Sequence, residues 1–146
     1  ALLSASDDAV VTAMEEYGHK LGLAFQIIDD LLDLTGNEDT VGKTLGLDLQ
    51  KGKLTLPLIH LLASSDDAQR GELRSLLEQI VTQSTLDEGA VRQVRRRIVD
   101  SGSVDYANAV ARRLVDEAKS GLKLLAESPA RSVLDEMADA VLTRQF

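Results

Sequence analysis

No stretch of this sequence alternates apolar and polar residues as a strand would, and its only prolines are Pro57 and Pro129. Those two facts confine the chain to helices. The first helix is predicted over residues 7–34, with Ser6 as N-cap, Asp7 and Asp8 in the first turn and Gly36 as the stop. At 1.5 Å per residue it would be about 40 Å long, the span of a whole domain. Residues 35–53 read as one long irregular stretch carrying Gly36, Gly42, Gly46 and Gly52; in compact domains such loops are usually functional or disordered. Shorter helices are expected near 56–63, with Pro57 in the first turn, near 66–82, capped by Ser65, and near 86–100, where Thr85 and Glu88 have capping-box spacing. Ser103 is expected to cap a long helix reaching about residue 126, and Ser128 with Pro129 to open a last one through Leu142. The expected fold class is all-α, about six helices bundled or crossed, in a single domain over 1–146.

Composition narrows what such a bundle does. Apolar residues make up 44% of the 146, and a chain of this size buries roughly two thirds of its unfolded surface. There is no cysteine, which excludes disulfides, thiolate metal sites and a cysteine nucleophile. No apolar run approaches the ~18 residues of a membrane span. Aromatics at 3% argue against a stacking platform for single-stranded nucleic acid. The net charge of −8, with no basic stripe, makes a poor general nucleic-acid binder. No charged-then-apolar leader opens the chain, so the expected location is the cytoplasm. The acid is uneven: residues 1–63 hold ten acids against four lysines, and residues 64–146 fourteen acids against twelve bases.

The informative segment is residues 18–34, GHKLGLAFQIIDDLLDL. On a helical wheel Asp29, Gly22, Asp33, Gln26, His19 and Asp30 fall within an arc of about 100°. Leucine, isoleucine, alanine and Tyr17 fill most of the rest. A narrow polar lane thus runs down an otherwise apolar helix, which is the pattern of a helix buried on most sides. Two carboxylates about 6 Å apart, at an effective dielectric near 20, repel by roughly 3 kcal/mol. No basic residue lies within one turn on the lane. Either water screens the three carboxylates or a cation binds them. A generic D-D-x-x-D is more often a solvated acidic stripe. Here the apolar surround and the room left by Gly18 and Gly22 favour a ligand. Carboxylate oxygens suit Mg²⁺, which usually keeps waters and shares phosphate oxygens, so the natural ligand is a phosphate ester with its magnesium.

Residues 42–57, GKTLGLDLQKGKLTLP, place Lys43, Lys51 and Lys53 among glycines, with Asp48 between them. Lysine serves as a point charge for phosphate, and glycine permits close backbone approach. The order of residues is not that of a Walker loop. Metal on one side and ammonium groups on the other are what a diphosphate needs.

FQIIDDLLD at 25–33, followed by this loop, resembles the trans-isoprenyl diphosphate synthases, the polyprenyl synthetase family. The first segment resembles their second aspartate-rich motif, and the second their G-K-x-x-G-x-D…G-K-x-T-x-P loop. The resemblance covers the chain, while the chain covers only about the C-terminal half of such an enzyme. It implies part of an isoprenoid-synthase-type helical bundle that condenses isopentenyl diphosphate with an allylic diphosphate, as a homodimer in the full-length enzyme. It further implies that Asp29 and Asp33 hold Mg²⁺, with Asp30 assisting, that Gln26, Lys43 and Lys53 contact the allylic diphosphate, and that Asp48 orients the lysines. The family's first D-D-x-x-D motif has no counterpart: Asp7-Asp8 is followed by Val11 and Asp66-Asp67 by Arg70 at the place of the third acid. The resemblance therefore implies a fragment inactive by itself.

Two other readings compete. A non-catalytic helical subunit of a two-chain prenyl synthase keeps the lane and loop but needs a partner. A class I terpene cyclase usually carries N-D-x-x-S-x-x-x-E, whereas Asp30 here is followed by Leu31, Leu32 and Asp33. Among the remaining residues, His19 reads as hydrogen-bonded or solvated, His60 as structural, Arg95, Arg96 and Arg97 as salt-bridge partners, and Met14, Tyr106 and Phe146 as packing. Phe25 borders the lane and suits either a prenyl cavity or the core.

Overall fold

The computed structural model of the protein describes residues 7–36, 46–82 and 87–144. Among the described residues every regular element is helical: α1 (Asp8–Thr35), a one-turn α2 (Leu47–Gln50), α3 (Leu56–Ser64), α4 (Asp67–Thr82), α5 (Glu88–Asp100), α6 (Ser103–Gly121), a 3-10 turn (Leu122–Leu124) and α7 (Pro129–Leu142). The all-α expectation holds, and α1 and α3 lie within a residue or so of their predicted bounds.

The caps differ from expectation in an instructive way. Ser6 and Thr85 lie outside the described residues. Asp7 caps α1: its Oδ1 accepts the Ala9 N–H at 3.0 Å and its carbonyl accepts the Val11 N–H at 3.0 Å. At α4 Asp66 takes the place foreseen for Ser65, accepting the Gln69 N–H at 2.8 Å while its own N–H donates to Gln69 Oε1 at 3.2 Å. Ser65 turns back instead, its Oγ donating to the Leu61 carbonyl at 2.7 Å. Asp87 caps α5 through the Ala90 N–H at 3.0 Å. In each case a carboxylate stands where its charge meets the positive end of the helix. The α6 cap is Gly102, with φ +72° and a carbonyl that accepts the Tyr106 N–H at 3.0 Å; Ser103 is the first helical residue. That helix stops at Gly121, short of residue 126. Ser128 caps α7 as expected, its Oγ accepting the Arg131 N–H at 3.2 Å.

The described chain divides into two compact units. One takes residues 7–28 and 109–144. Its buried residues are mostly small: Ala13 and Ala24 on α1, Ala111, Val115 and Ala118 on α6, Ala138 on α7. The buried Tyr17 hydroxyl donates to the Leu134 carbonyl at 2.7 Å. Lys119 reaches Asp139 at 2.7 Å and Asp135 at 3.1 Å, an exposed link between α6 and α7 of modest value.

The other unit takes residues 29–36, 46–82 and 87–108. Its core gathers Leu34 of α1, Leu49 of α2, Leu58 and Leu61 of α3, Leu73 and Ile80 of α4, and Val91, Val94 and Ile98 of α5. Helix α4 packs on α5, α2 on α4 and α3 on α5. The His60 ring stacks on Tyr106, centroids 4.1 Å apart, and its Nδ1 meets the buried Ser103 Oγ at 2.9 Å. Arg70 binds the Leu62 and Ser65 carbonyls at the end of α3. Arg97 pairs with Glu72 at 2.8 Å and Arg96 with Asp100 at 3.4 Å, as the sequence reading expects. Arg95 instead binds the Leu34 carbonyl.

Leu73 is wholly buried, so Leu73→Ala removes apolar burial and leaves a cavity. We expect urea unfolding to show a loss of about 2–5 kcal/mol, against less than about 1 kcal/mol for Glu72→Ala, which breaks only an exposed ion pair.

Candidate functional site

The C-terminal third of α1 carries the three aspartates into the second unit, where they meet different fates. Asp29 is exposed, Asp33 half-buried and Asp30 only 8% exposed. Asp30 is therefore the member whose charge the fold must answer. It is answered by Lys53, whose Nζ lies 2.7 Å from Asp30 Oδ1 and 3.0 Å from Asp48 Oδ2. The offsetting base absent from the lane itself comes from a residue 23 positions along the chain. Local structure aims it there. Helix α2 ends at Gln50, Gly52 takes φ +69° to turn the chain, and the Lys53 N–H donates to the Asp48 carbonyl at 2.9 Å. Lys53 and Asp48 are thereby held side by side.

Asp33 anchors the other end of the same segment. Its carbonyl accepts the Gly46 N–H at 3.1 Å and its Oδ2 the Asp48 N–H at 3.2 Å. Gly46 has φ +81°, and a Cβ there would lie 2.6 Å from Val91 Cγ1. Only glycine fits without strain in the backbone and a shift of the Val91 side chain. Arg95 completes the arrangement by donating through Nε to the Leu34 carbonyl at 2.6 Å, placing positive charge at the C-terminal end of α1. The sequence predicts a salt bridge for Arg95; its actual partner lies 61 positions away, where no local pattern signals it.

The electrostatics follow from burial. Loss of solvent pushes the Asp30 carboxyl above its ordinary range, and Lys53 offsets only part of that, with Asp48 and Asp29 adding to the upward push. Burial raises Asp33 too, against the Asp48 N–H, which pulls it down. Lys53 is raised above the usual lysine range, first by its bond to Asp30 and then by that to Asp48, so it is protonated at any neutral pH.

The carboxylate oxygens of Asp29, Asp30 and Asp33 are the hard donors that a divalent cation takes, but the Lys53 ammonium stands against Asp30. Among the described residues no three acids or histidines are gathered to hold a metal ion in this arrangement. Asp30 is drawn to Lys53 and Asp33 to the Asp48 amide. Gln26 is exposed on α1 in the first unit, as are Gly18, His19 and Gly22. Phe25 there lies under Arg144, whose guanidinium carbon is 4.0 Å from the ring centroid. Lys43 and Gly42 lie outside the described residues. Two positions beyond Lys53, the buried Thr55 Oγ1 has no hydrogen-bond partner among the described residues.

Solved structures share this architecture. A polyprenyl synthase of Roseobacter denitrificans superposes with a TM-score of 0.83 at 32% identity, over 99% of this chain and 45% of its own. A polyprenyl synthase of Caulobacter crescentus, complexed with calcium and isoprenyl diphosphate, superposes with a TM-score of 0.80 at 35% identity, over 95% of this chain and 41% of its own. The fold is thus that of the all-α isoprenoid synthases. The polyprenyl synthetase family model matches residues 1–97, and the chain belongs to that family. A short chain isoprenyl diphosphate synthase of Methanothermobacter thermautotrophicus is 37% identical over 145 residues, covering 99% of this chain and 43% of the relative. An octaprenyl diphosphate synthase of Haemophilus influenzae is 32% identical over 146 residues, 100% and 43% respectively. The chain spans less than half the length of these relatives. Among the described residues no helix is long and apolar enough to cross a membrane.

Gly46→Ala should destabilise the chain by about 1–2 kcal/mol from the left-handed backbone alone, with a further loss from the Val91 clash. In a thermal-unfolding cycle, Val91→Ala should recover the clash component and leave the backbone component. Full additivity of the two substitutions would show that Gly46 and Val91 do not meet.

Proposed function

We propose that this chain is the diphosphate-holding part of a trans-prenyltransferase, a polyprenyl diphosphate synthase that condenses isopentenyl diphosphate with an allylic diphosphate. The observation that carries the reading is the joining of the aspartate helix to the lysine segment: Lys53 on Asp30 and Asp48, and the Asp48 N–H on Asp33. That joining supports a single place of action for the two motifs. The Caulobacter relative, complexed with calcium and isoprenyl diphosphate, supports the same reading.

In this account Asp29 and Asp33 hold Mg²⁺, with Asp30 assisting, and Gln26, Lys43 and Lys53 contact the allylic diphosphate. The metal, when bound, neutralises charge gathering on the departing diphosphate. The chain's own part is to supply fixed positive charge to the same oxygens. As the allylic carbon–oxygen bond breaks, the diphosphate takes the electron pair, and Lys53, protonated throughout, stabilises it. The double bond of isopentenyl diphosphate then attacks the allylic cation, and the new cation so formed loses a proton to an oxygen of the departed diphosphate, which restores a double bond in the lengthened chain. Asp48 fixes where Lys53 can reach, through its carboxylate and its backbone carbonyl. Arg95 keeps the end of α1 in place by holding the Leu34 carbonyl. The complete enzyme acts as a homodimer in the cytoplasm. Neither its isopentenyl site nor its first aspartate-rich motif is supplied by these 146 residues, so the chain alone does not elongate a prenyl diphosphate.

The test is thermal unfolding with pyrophosphate and Mg²⁺. At about one hundred times Kd, binding to the folded chain should raise Tm by roughly 5–10 °C. Asp29→Asn with Asp33→Asn should abolish the shift. An unshifted Tm in the unsubstituted chain would contradict the proposal, as would elongation of farnesyl diphosphate by the isolated chain.

A further inference from the structure

The candidate aspartate site already contains a cation belonging to the protein. Lys53 Nζ stands 2.7 Å from the buried Asp30 and 3.0 Å from Asp48. Its side chain is 45% exposed, while that of Asp30 is 11% exposed. The two ends of this pair are therefore unequal. Asp30 is fixed in a helix and cannot move toward water; the ammonium sits on a flexible four-carbon stem at the surface and can. Leaving Asp30 buried without a positive partner is costly, so the lysine departs only as another cation arrives.

We infer that Lys53 is a resident counter-cation, displaced from Asp30 by the incoming divalent metal and thereby released to the diphosphate, so that metal and diphosphate binding are coupled through this one ammonium group. The inference rests on the diphosphate-site reading above. Two consequences follow. Metal alone must compete with Lys53, which weakens its binding. Diphosphate gives the displaced ammonium a new partner, which removes the competition and makes the two ligands bind cooperatively. Asp48 limits the travel of Lys53, since it holds the ammonium by its carboxylate and the Lys53 N–H by its carbonyl. The lysine swings without leaving the site.

The test is Mn²⁺ titration of the 146-residue chain, followed by the electron paramagnetic resonance of the free ion, with and without pyrophosphate. Lys53→Gln should bind Mn²⁺ alone more tightly than the unsubstituted chain, on the order of ten-fold, and should lose most of the tightening that pyrophosphate brings. Lys53→Arg, which keeps the charge, should behave like the unsubstituted chain. Equal or weaker Mn²⁺ binding by folded Lys53→Gln overturns the inference. Should that variant not fold, reductive methylation of the unsubstituted chain reads the same event: labelling of Lys53 rises with saturating Mg²⁺ and falls when pyrophosphate is added. Labelling unmoved by either overturns the inference. If the unsubstituted chain binds no Mn²⁺ even with pyrophosphate, the diphosphate-site reading fails and the inference with it. If it binds both while Lys53 labelling stays constant, only the inference fails.

Discussion

A carboxylate taken out of water needs a cation, and in the second unit of this chain Lys53 meets that need at Asp30. Helix α1 fixes the aspartate; the turn after α2, with Gly52 at positive φ, brings Lys53 back to it. A net interaction of this kind is not a large source of stability, because desolvation of the acid consumes most of the Coulombic gain. Its value is in position. One ion pair specifies where a segment 23 residues distant must sit relative to the aspartate-rich turn, and the Asp33–Asp48 and Asp33–Gly46 hydrogen bonds hold the same register from the other side.

The residual imbalance has a chemical meaning. A single ammonium does not restore Asp30 to its ordinary range. A site built only for stability would be better served by apolar side chains or by a closer match of charge. Negative charge held at a cost, beside a partly exposed ammonium, suits the proposed ligand, which brings cations and anions together. A magnesium diphosphate is such a ligand. Asp29 is exposed, whereas the Asp33 side chain already has an amide partner and also serves the fold.

Much of the fold was legible in the sequence because helices are written in local terms. The apolar stripe of α6, the Ser128–Pro129 start of α7 and the length of α1 all depend on residues a turn apart. The cap positions were less legible. Asp7, Asp66 and Asp87 each do the work that a neighbouring serine or threonine could have done; spacing alone does not rank a carboxylate above a hydroxyl. In the site, the residue types and their order were readable from D-D-x-x-D and the glycine–lysine loop. The partners were not. Arg95 binds the Leu34 carbonyl because α5 packs where it does, and no local pattern marks one arginine of three as different. The sequence also placed Asp29, Asp30 and Asp33 together on one lane, whereas their burial differs sharply, since only the neighbouring elements decide which edge of a helix is covered.

The most direct measurement is a crystal structure of the chain grown with manganese and pyrophosphate. The account predicts anomalous density for manganese against Asp29 and Asp33, pyrophosphate oxygens shared between metal and lysine, and Lys53 turned from Asp30 toward the phosphate. Manganese lodged elsewhere, with Lys53 still paired to Asp30 and the aspartate lane facing only water, would contradict it.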